Sequence, residues 1–157
     1  MSRAFSFATA GQIEFGAGAV RQVAPAAAAL GRHAFLVTGA SMQRADSLAA
    51  ALETAGLALS RFAVDSEPDV DTIEAGATKA RASDCDVVIG FGGGSVMDAA
   101  KAIAALVTNT RPIMDYLEVI GGAQPLTAPP APCIAVPTTA GTGSEVTRNA
   151  VIRSAAH

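Results

Sequence analysis

Glycine is concentrated in one short segment of the chain. An apolar run at 87–89 precedes the segment 90–95, which holds four glycines and ends in Ser95, where helical spacing of apolar residues begins. A segment without side chains leaves its backbone N–H groups uncovered and permits positive φ. At a helix N-terminus, four unpaired N–H groups and the helix dipole favour an anion. We therefore predict that this glycine segment binds a diphosphate, the alternative being a tight strand–helix turn without a ligand.

Hydroxyl side chains are concentrated in a second segment, at 138–147, directly after an apolar run that ends in Pro137. In open α/β sheets, ligands bind outside the C-terminal ends of the strands. This threonine segment and the glycine segment both follow predicted strands, so together they favour a nucleotide ligand. The threonine hydroxyls can bond to ribose or carboxamide groups, or can serve only as turn and cap residues. They belong to Thr138, Thr139, Thr142 and Thr147.

Apolar runs alternate with helical patterns along the chain. This alternation predicts an α/β domain with a mainly parallel sheet flanked by helices. Asp69 or Asp71 is expected to cap the helix that runs to Ser83. Strands are predicted at 34–38, 59–64, 87–89 and 133–137, and the other helices at 19–30, 44–55 and 95–107, with a helical turn at 112–117 and an irregular loop at 121–132.

The two ends of the chain are predicted to add further strands. Phe5 and Phe7 alternate with small residues, and the apolar pair at 13 and 15 follows, which indicates an N-terminal hairpin. Apolar residues at 146, 151 and 152 suggest a final strand. Pro25 lies inside a predicted helix, where it must either begin the regular part or kink it.

The composition excludes several classes of protein. Of 157 residues, 50% are hydrophobic and 16% are charged, which indicates one globular domain. The net charge of -3 and the lack of a basic cluster argue against nucleic acid as a partner, and the lack of a long apolar run argues against a membrane. Cys85 and Cys133 are expected to be buried, reduced thiols, which favours a cytoplasmic protein. His33 and His157 have no nearby ligand partners in sequence, so no metal site is predicted.

Two common nucleotide-binding patterns do not fit. In a Rossmann fold the glycine segment follows the first strand, and an acidic residue ends the next strand. Here two strand–helix units come first, and the strand after the glycine segment ends in Pro137-Thr138. A P-loop requires Gly-Lys-Ser/Thr, which the sequence lacks. The sequence therefore predicts a different nucleotide-binding fold.

Two long motifs resemble those of a known family. Gly-Gly-Gly-Ser-x-x-Asp-x-x-Lys at 92–101 and Pro-Thr-Thr-Ala-Gly-Thr-Gly-Ser-Glu-Val-Thr at 137–147 are similar to motifs of the iron-containing (group III) alcohol dehydrogenases. Dehydroquinate synthase and glycerol dehydrogenase share the glycine segment but not the second motif in this form. The resemblance covers essentially the whole chain. It implies that residues 1–157 are an N-terminal dinucleotide-binding domain, the nucleotide-binding half of a dehydroquinate-synthase-like fold.

The resemblance also implies the cofactor and its contacts. The cofactor is NAD or NADP, and Asp98 would lie near its nicotinamide half, the alternative being an exposed pair with Lys101, which itself is expected to be structural. Gly39 follows the first parallel strand and would lie beside the adenosine ribose. It offers no carboxylate to select NAD, so weak discrimination between NAD and NADP is expected. The full set of candidate cofactor residues is Gly39, Asp69, Gly92, Gly93, Gly94, Ser95, Asp98, Thr138, Thr139, Thr142 and Thr147.

Members of the family carry a second, all-helical domain that supplies one Asp and three His to a divalent metal, iron or zinc. Those ligands are not in this sequence, so we expect a truncated domain that contains neither catalytic nor metal-binding residues and is inactive alone. The implied substrate is a small alcohol or aldehyde; aliphatic alcohols and diols, lactaldehyde and maleylacetate all stay open. A homodimer through the N-terminal strands is left open as well. The alternatives are a freestanding nucleotide-binding or sensor module, or a maleylacetate-reductase-like member of the family.

Overall fold

The computed structural model describes residues 8–154 and has a parallel sheet at its centre. The predicted α/β fold is confirmed, since four parallel strands lie in the order β2-β1-β3-β4 with helices packed against the sheet. The strands are β1 (His33–Gly39), β2 (Ala58–Val64), β3 (Val87–Gly92) and β4 (Cys133–Pro137). The helices are α1 (Val23–Leu30), α2 (Asp46–Thr54), α3 (Val70–Ala82) and α4 (Gly94–Thr108), and short 3-10 turns occur at Ala19–Gln22, Met42–Ala45 and Ile113–Asp115.

Strand β1 is buried on both faces, which explains its continuous apolar sequence. Phe35 and Val37 pack in a cluster with side chains of α3 and α4. Ala34 and Leu36 point to the opposite face and pack with side chains of α1 and α2. Burial of each larger apolar side chain contributes roughly 1.5–3 kcal/mol. The two clusters hold the central strands in place between two layers of helix.

The C-terminal ends of the strands meet at one edge of the sheet. Gly39 pairs with Val64 at the ends of β1 and β2, and Gly92 pairs with Pro137 at the ends of β3 and β4. Helix α4 begins two residues after Gly92 at this same edge. The glycine segment, the threonine segment and Gly39 therefore all follow strand ends on one side of the sheet.

The helices differ from their predicted bounds mainly at the N-termini. Pro25 is the third residue of α1, where a helix has no partner for the backbone N–H, so the proline lies in the first turn and causes no kink. A 3-10 turn precedes both α1 and α2. Gly56, at φ +87, follows α2 and donates its N–H to the Glu53 carbonyl, so this glycine ends the helix. Asp69 rather than Asp71 caps α3.

The predicted final strand is wrong. Within the described residues, the segment 146–154 makes one isolated parallel bridge, between Asp69 and Arg153. The carbonyl oxygens of Thr147 and Asn149 instead accept hydrogen bonds from Lys101 Nζ, and the backbone around them is irregular.

The N-terminal hairpin predicted from the sequence is not seen in the described residues. Phe5 and Phe7 lie outside the described residues, and no strand forms at Ile13 or Phe15, which are 64% and 100% exposed.

Cys85 is buried as expected, and burial raises the pKa of its thiol. Cys133, the first residue of β4, is exposed as a residue, contrary to the prediction, although burial of the thiol group itself raises its pKa to about 11. None of the helices in residues 8–154 combines the length and the apolar character that crossing a membrane requires.

Candidate dinucleotide-binding site

Gly90 and Gly92 are strand residues that allow α4 to pack closely against β3. A Cβ atom on Gly90 would lie 2.8 Å from the Ala100 Cβ, and one on Gly92 would lie 2.5 Å from a Val96 methyl group. None of the glycines from 90 to 94 uses the positive φ that glycine permits. Close approach of strand and helix, rather than an unusual turn, therefore explains these two glycines.

Gly93 and Gly94 form the N-terminus of α4 and leave its backbone uncovered. Gly93 is the N-cap residue in extended conformation, and no side chain among the described residues caps the helix. A Cβ on Gly93 would lie 3.3 Å from Thr139 Oγ1, and one on Gly94 would lie 3.3 Å from the Thr142 side chain. The space between the helix N-terminus and the threonine segment is thus open only because both residues lack side chains.

The threonine segment faces this helix terminus. Thr138 donates its N–H to the Gly92 carbonyl at 2.8 Å, which ties the ends of β3 and β4 together. Gly141 and Gly143 have φ of +95° and +71°, a left-handed conformation that glycine adopts without strain. The Thr142 hydroxyl lies 3.3 Å from Glu145 Oε2 and from the Ser144 N–H. The side chains of Thr138, Thr139, Thr142 and Thr147 are exposed and accessible to a ligand.

Asp98 pairs with Lys101 as the predicted alternative has it, but Asp98 is buried rather than on an exposed face. Asp98 is 7% exposed, and its Oδ1 lies 2.9 Å from Lys101 Nζ. The structural role expected for Lys101 is confirmed, because its Nζ also donates to carbonyl oxygens of the threonine segment and the residues beyond it, including that of Ser144. The pair satisfies the buried carboxylate, since an unpaired charge at this depth would be strongly destabilising.

A cleft of about 480 Å³ opens beside the N-terminus of α4. Four of the predicted residues line it, namely Gly94, Ser95, Asp98 and Thr142. Sequence reasoning missed the rest of the lining: Glu67, Pro68, Val151 and Arg153. Glu67 and Pro68 lie shortly after the end of β2, and this position at a strand end could have indicated that they line a site. No sequence pattern indicates that Val151 and Arg153 line a site, because the apolar residues of their segment predict a strand.

Asp69 and Gly39 lie at other positions on the same edge of the sheet. Asp69 Oδ1 accepts a hydrogen bond from the Thr72 N–H at 2.9 Å, and Asp69 Oδ2 lies 3.8 Å from the Arg153 guanidinium. Hydrogen bonds from Thr72 and, less strongly, the charge of Arg153 lower the pKa of Asp69. Gly39 faces open space, because a Cβ there would meet no atom within 4 Å. These contacts give Asp69 a capping role and leave room for a ligand beside Gly39.

A larger cleft of about 1160 Å³ lies between α4 and the segments 113–126 and 148–154. Ile113, Leu117 and Val119 line it together with the apolar face of the helix. None of the eleven predicted cofactor residues is part of this lining. We therefore place the candidate site at the smaller cleft, where the uncovered helix terminus and the hydroxyl groups meet.

Comparison with known proteins identifies the family. The family model of the iron-containing alcohol dehydrogenases matches residues 10–157. This chain belongs to that family. It is 37% identical over 154 residues to the sulfoacetaldehyde reductase of Bilophila wadsworthia, which covers 95% of this chain and 39% of that protein. The predicted family is thus confirmed, and the chain spans about two fifths of the length of this curated relative.

Solved structures of iron-containing alcohol dehydrogenases confirm the predicted fold. A 1,3-propanediol oxidoreductase superposes with a TM-score of 0.83 and 31% identity, over 92% of this chain and 38% of that one. The sulfoacetaldehyde reductase of Bifidobacterium kashiwanohense, solved in complex with NAD+, gives a TM-score of 0.78 and 33% identity, over 93% of this chain and 39% of that one. The nucleotide-binding α/β fold is therefore shared with these proteins.

The described residues of this iron-containing alcohol dehydrogenase chain fit a dinucleotide but not a metal. The cradle at Gly93 and Gly94, which a Cβ would narrow, matches a diphosphate that approaches backbone N–H groups. In residues 8–154 no three His, Cys, Asp or Glu side chains are grouped so that they could hold a metal ion. His33, on β1, has its Nε2 3.0 Å from Ser60 Oγ. No step of a reaction is therefore assigned to a metal on these residues.

Proposed function

We propose that this chain is the NAD(P)-binding portion of a metal-dependent alcohol dehydrogenase, which transfers hydride between an alcohol or aldehyde and nicotinamide. The observation that carries the proposal is the side-chain-free N-terminus of α4, which opens toward the threonine segment at the C-terminal edge of the sheet. Backbone N–H groups at a helix N-terminus bind phosphate oxygens, and the helix dipole favours the negative charge. Membership of the family and the NAD+ complex of a relative support the same assignment.

Each candidate residue has a proposed part in binding, and that of Gly39 is to lie beside the adenosine ribose. Backbone N–H groups of Gly93 and Gly94 and the Ser95 hydroxyl hold the diphosphate, while Gly92 keeps the strand close enough to the helix for this geometry. Asp98 lies beside the nicotinamide half, and Asp69 orders the start of α3 next to the cleft. The hydroxyl groups that bond to ribose and carboxamide belong to Thr138, Thr139, Thr142 and Thr147. Nicotinamide supplies the hydride chemistry when bound, and these residues bind and orient it.

The complete enzyme requires more than these residues. We propose that a helical domain of the full-length protein supplies a divalent metal, iron or zinc, and that the substrate is a small alcohol or aldehyde. This 157-residue chain alone should therefore show no turnover with short alcohols and added iron or zinc. A cytoplasmic location, the absence of nucleic-acid and membrane partners, and a homodimer through the N-terminal segment, whose residues Ile13 and Phe15 are exposed and form no strand in the single chain, are further parts of this proposal.

Binding calorimetry with four nucleotides tests the proposed function. We expect NAD or NADP to bind the purified chain more tightly than ADP or ATP, because the threonine segment would contact the nicotinamide ribose and the carboxamide, which ADP and ATP lack. Equal or tighter binding of ADP and ATP would instead favour a nucleotide sensor module. Absence of binding by all four nucleotides would contradict both interpretations and favour a strand–helix turn without a ligand.

A further inference from the structure

One ammonium group joins helix α4 to the irregular segment that follows β4. Lys101 Nζ lies 2.8 Å from the Ser144 carbonyl oxygen and 3.3 Å from both the carbonyl oxygen and the hydroxyl of Thr147. It also donates to the Asn149 carbonyl oxygen. The Lys101 side chain is 16% exposed, whereas Thr147 and Asn149 lie at the surface. The segment 144–149 therefore wraps around a single, partly buried cation.

Asp98 fixes the other side of that cation. Its Oδ1 lies 2.9 Å from Lys101 Nζ, and its side chain is 10% exposed. An ammonium group has three protons and accepts no hydrogen bond, so the five surrounding oxygen atoms use all its donors. Oxygen atoms that converge on one point suit the compact ammonium group of lysine better than the planar guanidinium group of arginine. The position of Lys101 is thus determined by α4, and the position of the segment is determined by Lys101.

The contact lies close to the candidate binding site. Lys101 is seven residues beyond Gly94 on the same helix, about 10 Å along its axis. The segment that it holds is continuous with Thr142, whose side chain faces Gly94 across the cradle. A helix of fifteen residues is a stiff element, so the ammonium sets the distance between the helix N-terminus and the threonine hydroxyls.

We infer that Lys101 is a positioning residue for the dinucleotide, one that holds the threonine segment at its working distance from the phosphate-binding end of α4. This inference rests on the proposed function, since it presumes that the two segments bind one ligand. Lys101 itself touches the segment and Asp98 rather than the dinucleotide. Its loss should therefore loosen the threonine segment and weaken binding, while the sheet stays ordered by its two apolar clusters.

Lys101→Met tests the inference, because methionine keeps much of the apolar stem and removes the ammonium. We expect calorimetry to show NAD affinity reduced at least tenfold. Hydrogen exchange should show faster exchange of the amides at 139–150, loss of their protection by NAD, and unchanged exchange in β1 and β3. Lys79→Met is the matched control, because Lys79 donates to the Arg61 carbonyl at 2.8 Å on an exposed surface. It should bind NAD like the unsubstituted chain.

A second comparison covers the case in which Lys101→Met does not fold because Asp98 is left as an unpaired buried charge. Asp98→Asn removes that charge and keeps Lys101, and Asp98→Asn/Lys101→Met removes both charges. The double variant should bind NAD at least tenfold more weakly than Asp98→Asn alone.

The outcomes separate this inference from the proposed function. If the unsubstituted chain binds no NAD or NADP, the proposed function fails. If that chain binds NAD and removal of Lys101 changes neither affinity nor exchange of the segment, only the role of Lys101 is overturned. Faster exchange throughout β1 and β3 would also overturn it, because Lys101 would then support the whole fold rather than the segment.

Discussion

The glycine segment and the threonine segment meet at one edge of the sheet, but different contacts hold them there. Within the glycine segment, Gly90 and Gly92 lie against side chains of α4 at distances that exclude even a methyl group. The threonine segment has neither helix nor strand, and carbonyl oxygens at its C-terminal end converge on Lys101. Close packing therefore fixes one half of the candidate site, and a polar contact with one side chain fixes the other half.

This difference separates two requirements of a binding site. Backbone N–H groups must already point at the phosphate before binding, because ordering them during binding would reduce affinity. Regular structure on both sides of Gly93 meets this requirement. Hydroxyl groups can adjust to the ribose and carboxamide, so an irregular segment held by polar contacts suffices for them. Substitutions in the two halves should consequently affect different measured quantities.

The largest expected effect is on folding, from Gly90→Val. The new Cβ would lie 2.8 Å from the Ala100 Cβ and 3.0 Å from the Met97 methyl group, in the buried contact between β3 and α4. Overpacking of this kind typically costs about 1–3 kcal/mol, and a rigid strand–helix contact should place the cost at the upper end. Urea unfolding measures the change. Gly39→Ala serves as control, since a Cβ there meets no atom within 4 Å. Equal stability of both variants would contradict close packing as the reason for glycine at 90.

The next effect is on binding, from Gly93→Val in the cradle itself. A Cβ at this position approaches only the exposed Thr139 hydroxyl, at 3.3 Å, so the fold should tolerate the change. The branched side chain would occupy the path of the diphosphate to the backbone. We expect NAD affinity to fall more than tenfold, about 1.4 kcal/mol or more, with little change in the melting temperature. If stability fell as much as binding, a turn without a ligand would be favoured.

Apolar runs and glycine positions made much of the fold predictable. The strands at β1, β2, β3 and β4 follow from short apolar runs, because buried parallel strands need no alternation. The cap at Asp69 and the stop at Gly56 follow from local backbone chemistry that the sequence shows directly. Even the helical turn near Ile113 was predictable.

Other features depend on contacts between distant residues. Residues 146–152 have the composition of a strand, yet Lys101, more than forty positions earlier, takes their carbonyl oxygens. Likewise, the sequence shows Asp98 and Lys101 as an ordinary i,i+3 pair, and only the packed segment reveals that Asp98 is buried and Lys101 partly buried. Arg153 is held at the cleft by a hydrogen bond from its backbone N–H to the Pro68 carbonyl, and no local sequence pattern predicts this contact. Composition alone therefore misjudged this part of the candidate site.

A third strand end, at Gly39, provides a test that neither segment should influence. Gly39 has ordinary φ and open space around it, so Gly39→Asp should fold normally. A carboxylate there would accept hydrogen bonds from a ribose 2′-hydroxyl and repel a 2′-phosphate. We expect NADP affinity to fall roughly tenfold, about 1.4 kcal/mol, with NAD affinity preserved. Gly39→Asn, of the same shape without the charge, should discriminate less. A hundredfold preference for NAD in the unsubstituted chain would show that selection occurs elsewhere.

The smallest expected effect is the pH dependence of a second attachment of the segment after β4, at Asp69. Asp69 accepts a hydrogen bond from Thr72 and lies 3.8 Å from the Arg153 guanidinium, and these contacts lower the pKa of its carboxyl group. A carboxyl group with a lowered folded-state pKa stabilises the fold above its unfolded pKa, about 3.9, and loses that contribution as the pH falls through the folded value. The difference in melting temperature between the unsubstituted chain and Asp69→Asn should therefore be present at neutral pH and narrow below about pH 4. Asp65→Asn, a change at an exposed acid earlier in the same loop, is the control. A difference that stayed constant across this range would mean that ionisation of Asp69 contributes neither to the cap of α3 nor to the pair with Arg153.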